Sequence, residues 1–484
     1  MIGKKRSATA IEDDGEGTMA IFRPPIIRSG AAALNRALFT KKVDLAAAAV
    51  QDSRNISKYR QALDSSRKLL RLERISSIAP HPDKALAEKG RKCLLLAPEV
   101  NAQSRDTWGP ALTEGVEKQD LAVIPYELQL DYDYWSYYDI MTSVLPEDLH
   151  SELPTGFNTA GHVAHLNLRD KYLPYKKVIA EVLLDKNAHI RTVINKVDNV
   201  GEESEFRTFQ YELLAGTDDM QVQLFEGNCV FEFDYSKVYW NSKLETEHRR
   251  LIDLFKPGEV VADVMAGIGP FAVPAGKRGV FIWANDMNPE SYRYLSEAIA
   301  KNKVSQFVRP FCKDGRTFIH EAADMVLAAS QQGECALVPV KQPSRPAKGS
   351  SAAAARPAPK RIPIPATISH FVMNLPASAI EFLGCYRGLY AGQEALFAPA
   401  TDTKLPLMHV HCFSFKQIKD TDEPLYRDDI CERITRELGV TMKHGDAEVE
   451  GEVAIHNVRD VAPLKTMYCA SFRIPREVAF APRS

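Results

Sequence analysis

The sequence contains no C-x-x-C pair and no cysteine–histidine spacing suited to a zinc site. Its eight cysteines stand singly, at Cys93, Cys229, Cys312, Cys335, Cys385, Cys412, Cys431 and Cys469. Small disulfide-bonded folds and structural zinc sites both require cysteines at regular, close spacings. We therefore expect reduced thiols, a reducing compartment and no metal site.

Long apolar runs and a strong net charge are also missing. No stretch approaches the roughly 18 uninterrupted apolar residues that would span a bilayer. The formal net charge of -2 means that any nucleic-acid site must be a local basic patch. The composition, 45% hydrophobic and 26% charged, is that of a globular protein, and 484 residues allow roughly two to four domains. We expect a soluble protein with no membrane partner.

The first 53 residues are predicted to form a disordered tail, and part of this tail resembles an address signal. The segment MAIFRPPIIRSGAAALNRALFTKKV, which starts at Met19, contains five basic residues and no acid. Such a segment is typical of a mitochondrial presequence, whereas the preceding GKKRSATAIEDDGEG is not. Two interpretations stay open: starts at Met1 and Met19 give differently addressed products, or the charge pattern is accidental.

Three folded regions are predicted behind the tail. Residues 54–148 form a small mixed domain, and residues 149–240 form a middle α+β domain with half-buried strands. In residues 241–484 strands alternate with helices, which indicates a parallel sheet with crossover helices. Residues 338–366, rich in Pro, Ala, Ser and Lys, are predicted to be a disordered insertion. The expected fold class is α/β, a Rossmann-like domain with two smaller N-terminal domains.

Glycines and acids follow the first two strands of the predicted sheet. Gly267 and Gly269 lie in a D-x-x-x-G-x-G turn that begins at Asp263. Glycine removes side chains that would block a ligand over the strand ends, and the full G-x-G-x-x-G spacing of a pyrophosphate site is absent. Asp286 ends the second strand, where a carboxylate can accept both ribose hydroxyls of an adenosine. Met287 beside it would offer an apolar face to the adenine.

The third and fourth strands end in polar residues as well. Asp314 and Gly315 follow the third strand, and the fourth ends in Asn374-Leu375-Pro376. Each feature alone is explained by ordinary loop chemistry or by a strand that stops at proline. Because successive parallel strands end at one edge of the sheet, these positions together predict a nucleoside cofactor at that edge.

Six strings occur in an order that resembles the archaeal and eukaryotic tRNA (guanine-37-N1)-methyltransferase family. They are HVAHLNLRD, PYKKVI, FRTFQYELLAG, FDYSKVYWNSKLETEH, DVMAGIGPF and MNLPASAIEFL. The resemblance covers roughly residues 153–415. It implies a class I (Rossmann-like) methyltransferase domain, S-adenosylmethionine as cofactor and tRNA as substrate. It also implies that the acid at Asp314 accepts from the adenine amino group.

The resemblance further implies roles in the reaction. Guanine N1 carries a proton at neutral pH, so a base must remove it, and Glu247 matches the family's proposed base. Negative charge then develops on O6, and Arg207 matches the arginine that stabilises it. Asn374 would hold the base edge beside the methyl group. Further predicted positions are His248 near the cofactor, and Tyr239, Lys243 and Pro376 at the nucleotide; family members often have arginine in place of Lys243.

The expected partner is tRNA, contacted at the anticodon loop and at the elbow. A basic helix around Arg67, Lys68, Arg71 and Arg74 matches the position of the family's small N-terminal domain, which reaches the distant corner of the tRNA. We expect a monomer in the cytoplasm and nucleus, with a mitochondrial matrix form under the first interpretation of the tail.

Two other functions stay open. The related enzyme of wybutosine synthesis transfers an aminocarboxypropyl group on the same fold, and the N-L-P string and Glu247 favour methyl transfer over it. A catalytically inactive tRNA-binding protein is the other alternative. The presence of Asp263, Asp286, Asn374 and Glu247 argues against that alternative.

Overall fold

The computed structural model describes residues 20–28, 33–197, 206, 208–340, 358–415, 425–462 and 465–483. The chain divides into two compact units. Unit 1 comprises Met1–Phe157, Asn167–His189 and Leu214–Gly216, and unit 2 comprises Asn158–Leu166, Ile190–Leu213 and Thr217–Ser484. The predicted middle domain, residues 149–240, is therefore not a separate unit. None of the helices in the described ranges combines the length and apolarity that crossing a bilayer requires.

Unit 1 contains an antiparallel sheet with three short helices along its sequence. The strands, in the order β2-β3-β1-β4, are β1 (Lys41–Val50), β2 (Ile78–Pro80), β3 (Lys92–Leu95) and β4 (Leu121–Leu130). The helices are α1 (Ile56–Ser65), α2 (Lys84–Glu88) and α3 (Pro110–Glu117). Alternate residues of β1 pack with Tyr59 and Leu63 of α1 into the core.

The predicted tail is wrong over the described part of residues 20–53. β1 is an interior strand, and Ala47 and Ala48 in it are fully buried. Phe39 is 1% exposed, and its carbonyl accepts a hydrogen bond from the Trp135 indole at 2.7 Å. Alanine has low β-propensity, so this strand is not evident from its sequence. Residues 1–19 lie outside the described residues.

The predicted basic helix ends earlier than expected. α1 stops at Ser65, and Arg67 adopts a left-handed φ of 55°, which reverses the chain after the helix. The Lys68 amide returns to the Leu63 carbonyl at 2.9 Å. The four basic residues therefore follow the helix instead of forming one of its faces.

Two further helices complete unit 1. α4 (Tyr137–Val144) begins with a capping box, in which Ser136 and Asp139 satisfy each other's backbone amides. α5 (Lys176–Lys186) follows Pro174.

Unit 2 begins with two small sheets. The first has the order β5-β6-β7-β8, with β5 (Asn158–Ala160), β6 (Val163–Leu166), β7 (Thr192–Lys196) and β8 (Tyr211–Gly216), whose last three residues belong to unit 1. The second is the hairpin of β9 (Gln221–Glu226) and β10 (Cys229–Asp234). Its turn residues Gly227 and Asn228 have φ of 56° and 61°, as a type I′ turn requires.

The main sheet of unit 2 has eight strands in the order β13-β12-β11-β16-β17-β20-β19-β18. They are β11 (Val260–Asp263), β12 (Phe281–Asn285), β13 (Val308–Phe311), β16 (His370–Met373), β17 (Leu407–Phe415), β18 (Lys443–His444), β19 (Glu452–Ala462) and β20 (Lys465–Arg473). β13, β12, β11, β16 and β17 are parallel, while β20 is antiparallel to β17 and β19. The predicted parallel sheet of a Rossmann-like domain is confirmed by the five parallel strands.

Helices cover both faces of this sheet. They are α6 (Glu245–Ile252), α7 (Ala272–Lys277), α8 (Pro289–Lys301), α9 (Gly315–Gln331), α10 (Leu425–Leu438) and α11 (Arg476–Ala479). Val260 and Ala262 pack in one hydrophobic cluster and Val261 in another, so β11 is buried on both sides. A 3-10 helix at Ala379–Tyr386 follows β16.

The predicted insertion is shorter than expected. β14 (Cys335–Val338) and β15 (Lys360–Pro363) form an antiparallel pair, with Val338 opposite Lys360. Residues 358–366 are therefore part of the folded chain, and residues 341–357 lie outside the described residues.

Candidate active site

The main sheet reverses its strand order between the parallel neighbours β11 and β16. Connections leave such a sheet on opposite faces at this point, so a crevice opens beyond the carboxyl ends of the strands. A cavity lies there. Its lining includes eight of the predicted site residues, namely Tyr239, His248, Gly267, Asp286, Met287, Asp314, Gly315 and Asn374.

The two glycines after β11 differ in their surroundings. Gly267 has a φ of 57°, and a Cβ built on it would have no heavy atom within 4 Å, so its backbone borders open space. Gly269 has a φ of 91°, and a Cβ there would approach Leu295 Cδ1 of α8 at 2.6 Å. Gly267 therefore lets a ligand approach the backbone, whereas Gly269 lies outside the lining and allows close packing of the turn on α8.

Asp286 connects two of the loops. Its Oδ2 accepts from the Gly267 amide at 2.7 Å, and its Oδ1 accepts from the Asn288 amide at 3.0 Å. Each carboxylate oxygen can accept a second hydrogen bond, so the side chain can also receive ribose hydroxyls. Met287 beside it is 41% exposed. This apolar, accessible side chain fits the predicted contact with an adenine.

Asp314 is the N-cap of α9. Its Oδ1 accepts from the amides of Arg316 at 2.9 Å and Thr317 at 3.2 Å. The Arg316 guanidinium lies 4.1 Å from the ring centroid of Phe382, and both side chains line the cavity. A Cβ on Gly315 would be 3.0 Å from Phe382, so glycine allows this ring to approach the loop. The third strand end thus supplies a carboxylate and a cation, and Phe382 of the 3-10 helix after β16 supplies an aromatic face.

Asp263 lies beneath the cavity instead of lining it. Its side chain is fully buried, and neither carboxylate oxygen has a hydrogen-bond partner among the described residues. Burial and the charge of Asp286 raise the pKa of Asp263 to about 8, and His411 opposes that shift. The carboxyl group is therefore largely protonated at neutral pH.

The N-L-P segment divides between the cavity and the sheet. Asn374 lines the cavity directly after β16. The Leu375 carbonyl accepts from the amides of Ser378 and Ala379, at 2.9 and 2.7 Å, which starts the following 3-10 helix. Pro376 is buried outside the lining, and its carbonyl accepts from the Phe413 amide at 3.1 Å. Asn374 is thus held at a fixed strand end, whereas Pro376 supports the neighbouring strand.

Glu247 is 3% exposed in α6 and lies outside the cavity lining. Arg250 donates Nε to Oε2 at 2.7 Å and Nη2 to Oε1 at 2.8 Å, and His411 Nε2 contacts Oε1 at 2.8 Å. His456 Nε2 is 3.8 Å from Oε2. Burial alone would raise the pKa of Glu247, but the bonds to Arg250 and His411 outweigh it and lower the pKa to about 2. The group is a buried, ionised carboxylate.

The other predicted residues have varied environments. His248 lines the cavity, and its Nδ1 lies 2.5 Å from Glu226 Oε1 while its ring meets Phe271 edge-on at 4.7 Å. Tyr239 is half-buried in the lining. Lys243 is exposed outside the lining. Arg207 lies outside the described residues, so its predicted role is untested.

Sequence reasoning missed several residues of this region. Asn285 is fully buried, and its side chain donates to the carbonyls of Val264 and Lys313 at 3.1 and 3.0 Å, which ties the loops after β11 and β13 together. The position of Asn285 immediately before Asp286, at the end of β12, is the sequence signal that could have identified it. Phe382 and Arg316 line the cavity as well. Phe382 lies in the string MNLPASAIEFL, which was an available signal, whereas no motif distinguishes Arg316.

Comparisons with known proteins agree with this geometry. Residues 137–219 match a family model described as the TYW2 N-terminal domain, and residues 224–338 match the TRM5/TYW2 methyltransferase domain. A protein of Neurospora crassa named tRNA (guanine(37)-N(1))-methyltransferase is 69% identical over 98% of both chains. A protein of the same name from Fusarium vanettenii is 60% identical over 96% of this chain and 98% of its own.

A solved structure shares the fold. The complex of aTrm5 and tRNALeu covers 89% of this chain and 99% of its own, with a TM-score of 0.55 and 18% identity. The predicted resemblance is confirmed, since identity to the relatives extends over nearly the whole sequence. The chain belongs to the tRNA (guanine(37)-N(1))-methyltransferase family and carries its TRM5/TYW2 methyltransferase domain.

Proposed function

We infer that this chain transfers the methyl group of S-adenosylmethionine to N1 of guanine 37 in tRNA. The observation that carries this inference is the 69% identity to the Neurospora crassa methyltransferase over 98% of both chains. The cavity at the carboxyl ends of β11, β12, β13 and β16 supplies a place for the reaction.

The cavity residues fit the cofactor. Asp286 offers a carboxylate at the end of β12, Gly267 leaves open space over the turn after β11, and Met287 offers an exposed apolar side chain. Asp314 lies in the loop after β13, and the Phe382 ring lies 4.1 Å from the guanidinium of Arg316. When bound, S-adenosylmethionine supplies an electrophilic methyl group on a sulfonium. The protein residues orient it and exclude water.

Three residues are proposed to act on the guanine. Asn374 holds the base edge from the end of β16, and Glu247 accepts the N1 proton. Arg207 stabilises the negative charge that develops on O6. In this structure Glu247 Oε1 contacts both Arg250 and His411, whereas Oε2 accepts one hydrogen bond, from Arg250, and lies 3.8 Å from His456 Nε2. Oε2 therefore keeps capacity to accept a proton.

The reaction is tested with two tRNA transcripts that differ only at position 37 and with two differently labelled forms of the cofactor. Full-length protein is incubated with a tRNA transcript carrying G37, and with the same transcript carrying A37, using cofactor labelled either in the methyl group or in the aminocarboxypropyl group. We expect methyl label only, only in the G37 transcript, as N1-methylguanosine. Transfer of the aminocarboxypropyl label would identify a wybutosine-type enzyme. Tight tRNA binding with neither label transferred would identify an inactive binding protein.

The Arg207 proposal is tested by separating binding from catalysis. Arg207→Ala should lower the single-turnover rate by about a hundredfold or more while tRNA affinity changes little. The conservative Arg207→Lys keeps the charge but loses the forked donor geometry, so it should recover only part of the rate. An equal loss of rate and affinity would assign Arg207 to binding alone.

The partner of the enzyme is tRNA. We propose that the chain acts as a monomer and reaches both the anticodon loop and the elbow of the tRNA. Removing the elbow from the substrate, as an isolated anticodon stem-loop, should weaken binding by about tenfold or more. Equal binding of the stem-loop and the complete tRNA would remove the elbow contact. Light scattering at a series of concentrations would detect a dimer.

We propose that the chain works in the cytoplasm and nucleus and, as a form that starts at Met19, in the mitochondrial matrix. The acid-free basic segment supports import. Phe22 and Phe39 are buried in unit 1, so cleavage beyond them would remove folded residues. Mass spectrometry of the protein from purified mitochondria should therefore find an N-terminus before residue 22. Absence of the protein from purified mitochondria would contradict the import proposal.

A further inference from the structure

Strand β17 places a buried histidine, His411, beside Glu247 and the strand end that carries Asn374. We propose that His411 is a positioning residue: it fixes the Glu247 carboxylate relative to Asn374 and supplies part of the positive charge that this carboxylate faces. The inference rests on the base role proposed above for Glu247.

The geometry assigns two donated hydrogen bonds to His411. Its Nε2 is 2.8 Å from Glu247 Oε1, and its Nδ1 is 3.3 Å from the Met373 carbonyl oxygen. A backbone carbonyl can only accept, so Nδ1 carries a proton. The Glu247 carboxylate already accepts two bonds from Arg250, so it acts as an acceptor toward Nε2 as well. Both ring nitrogens are therefore donors, and His411 is an imidazolium.

The groups around His411 come from five elements. α6 contributes Glu247 and Arg250, β11 Asp263, β17 His409, β19 His456 and β20 Cys469. Burial lowers the pKa of His411, but Cys469 and Glu247 outweigh burial and raise it to about 10. The ring is therefore charged throughout the neutral range.

A purely structural role does not require this second cation. Arg250 alone binds both oxygens of Glu247, and an additional buried cation has a desolvation cost. What His411 adds is a connection between elements. Met373 directly precedes Asn374, and Glu247 directly precedes His248, and both of those neighbours line the cavity. One ring thus links the base to the strand end that carries the residue for the target guanine.

The pH dependence of the reaction follows from this arrangement. The low pKa of Glu247, about 2, keeps the carboxylate ionised at any ordinary assay pH. Removing the imidazolium moves that pKa upward toward the usual range. A fraction of Glu247 then becomes protonated in mildly acidic buffer and cannot accept the N1 proton. The pH below which the methylation rate falls, the acidic limb of the rate profile, should therefore move upward into the measurable range.

The experiment uses two neutral variants of the full-length protein that each keep one donor. The amide nitrogen of His411→Asn lies near the position of Nδ1, and that of His411→Gln near Nε2. Single-turnover methylation of G37 tRNA is measured from about pH 4 to 9, with cofactor and tRNA affinities measured in parallel. With the pKa of Glu247 back near its usual 4.5, the carboxylate is half protonated at that pH. We therefore expect a rate loss of about twofold near pH 4.5 and about fourfold near pH 4 that disappears above about pH 6, with both affinities within about twofold of wild type.

A second histidine–glutamate pair, in which the histidine is buried and the Glu259 side chain is 26% exposed, provides the matched control. His370 Nε2 lies 3.4 Å from Glu259 Oε2, and His370 is 6% exposed. His370→Asn should lower stability without moving the acidic limb. An equal shift in this control would mean that any lost buried pair has the same effect, which would overturn the positioning role.

The outcomes separate this inference from the proposed function. Wild-type rate and pH profile in both His411 variants, together with an inactive Glu247→Gln, would overturn the role of His411 alone. An active Glu247→Gln would overturn the base role on which the inference rests. If the His411 variants do not fold, nitrogen NMR of histidine-labelled wild-type protein decides: both ring nitrogens protonated at about pH 8 supports the inference, and a neutral ring overturns it.

Discussion

Asp286 accepts a hydrogen bond from the Gly267 amide at 2.7 Å, across 19 positions of sequence. The same carboxylate accepts from the Asn288 amide, which begins the turn into α8. A single side chain therefore holds the loop after β11 and the loop after β12 together. It also faces the cavity, so its structural and binding roles cannot be assigned from stability alone.

Replacing Asp286 should impair cofactor binding more than folding. Asp286→Ala removes the acceptor for both amides and for the ribose hydroxyls, and hydrogen bonds to a charged group contribute about 1.5–3 kcal/mol. We expect calorimetry to show S-adenosylmethionine affinity reduced by about tenfold or more. Asp253→Ala, at an exposed acid paired with Arg278, is the control and should bind normally. Unchanged affinity in Asp286→Ala would remove this residue from the cofactor site.

Gly267 and Gly269 form a natural pair for separating strain from ligand contact. Gly269→Ala places a methyl group 2.6 Å from Leu295 and should lower the free energy of unfolding by about 2–4 kcal/mol. Gly267→Ala meets open space and has only the left-handed φ to oppose it, about 1–2 kcal/mol. Its methyl group borders the cavity, so cofactor affinity should fall more than in Gly269→Ala. Urea unfolding and calorimetry of both variants would reveal the opposite order if this assignment is wrong.

Asp263→Asn should stabilise the protein increasingly as pH rises. In the folded state burial and Asp286 raise the pKa of Asp263 to about 8, from a usual 3.8. Between these values the unfolded chain loses a proton that the folded chain keeps, so wild-type stability falls as pH rises through this window. The asparagine variant lacks that loss. Its melting temperature relative to wild type should climb from about pH 4 to 8, and a constant difference would contradict the raised pKa.

The folded state of the N-terminal residues can be tested with two adjacent substitutions. Phe39 is 1% exposed and its ring lies 5.6 Å from that of Tyr132, whereas Leu38 is 49% exposed. Phe39→Ala should lower the unfolding free energy of unit 1 by about 3–5 kcal/mol. Leu38→Ala should change it by less than about 0.5 kcal/mol. Similar small effects in both variants would mean that this segment does not pack.

The strand ends of the site were predictable because they follow a local rule. Alternating strand and helix patterns locate β11, β12 and β16, and the polar residues after them, Gly267, Asp286 and Asn374, then fall at one edge of the sheet. The pattern needs only neighbouring residues to be recognised. It therefore locates the cavity at this edge of the sheet.

Other features depend on contacts that no local pattern encodes. His411 contacts Glu247 across 164 positions of sequence, and no local pattern around either residue identifies the other as its partner. Four of the ten residues of β1 are alanines, and the segment becomes a strand because it lies between β3 and β4. Tertiary burial overrides local propensity in that strand. Long-range packing is therefore the part of the site and fold that the sequence alone did not reveal.

The pairing of β14 with β15 has a practical consequence. Because Val338 and Lys360 face each other, the two ends of the intervening segment are held side by side. The entropy of closing a loop changes only slowly with its length, by about 0.6 kcal/mol per doubling. A fluorescent reporter or affinity tag inserted there would start and finish at the same point of the folded chain. This hairpin is the natural attachment site for following the enzyme during turnover.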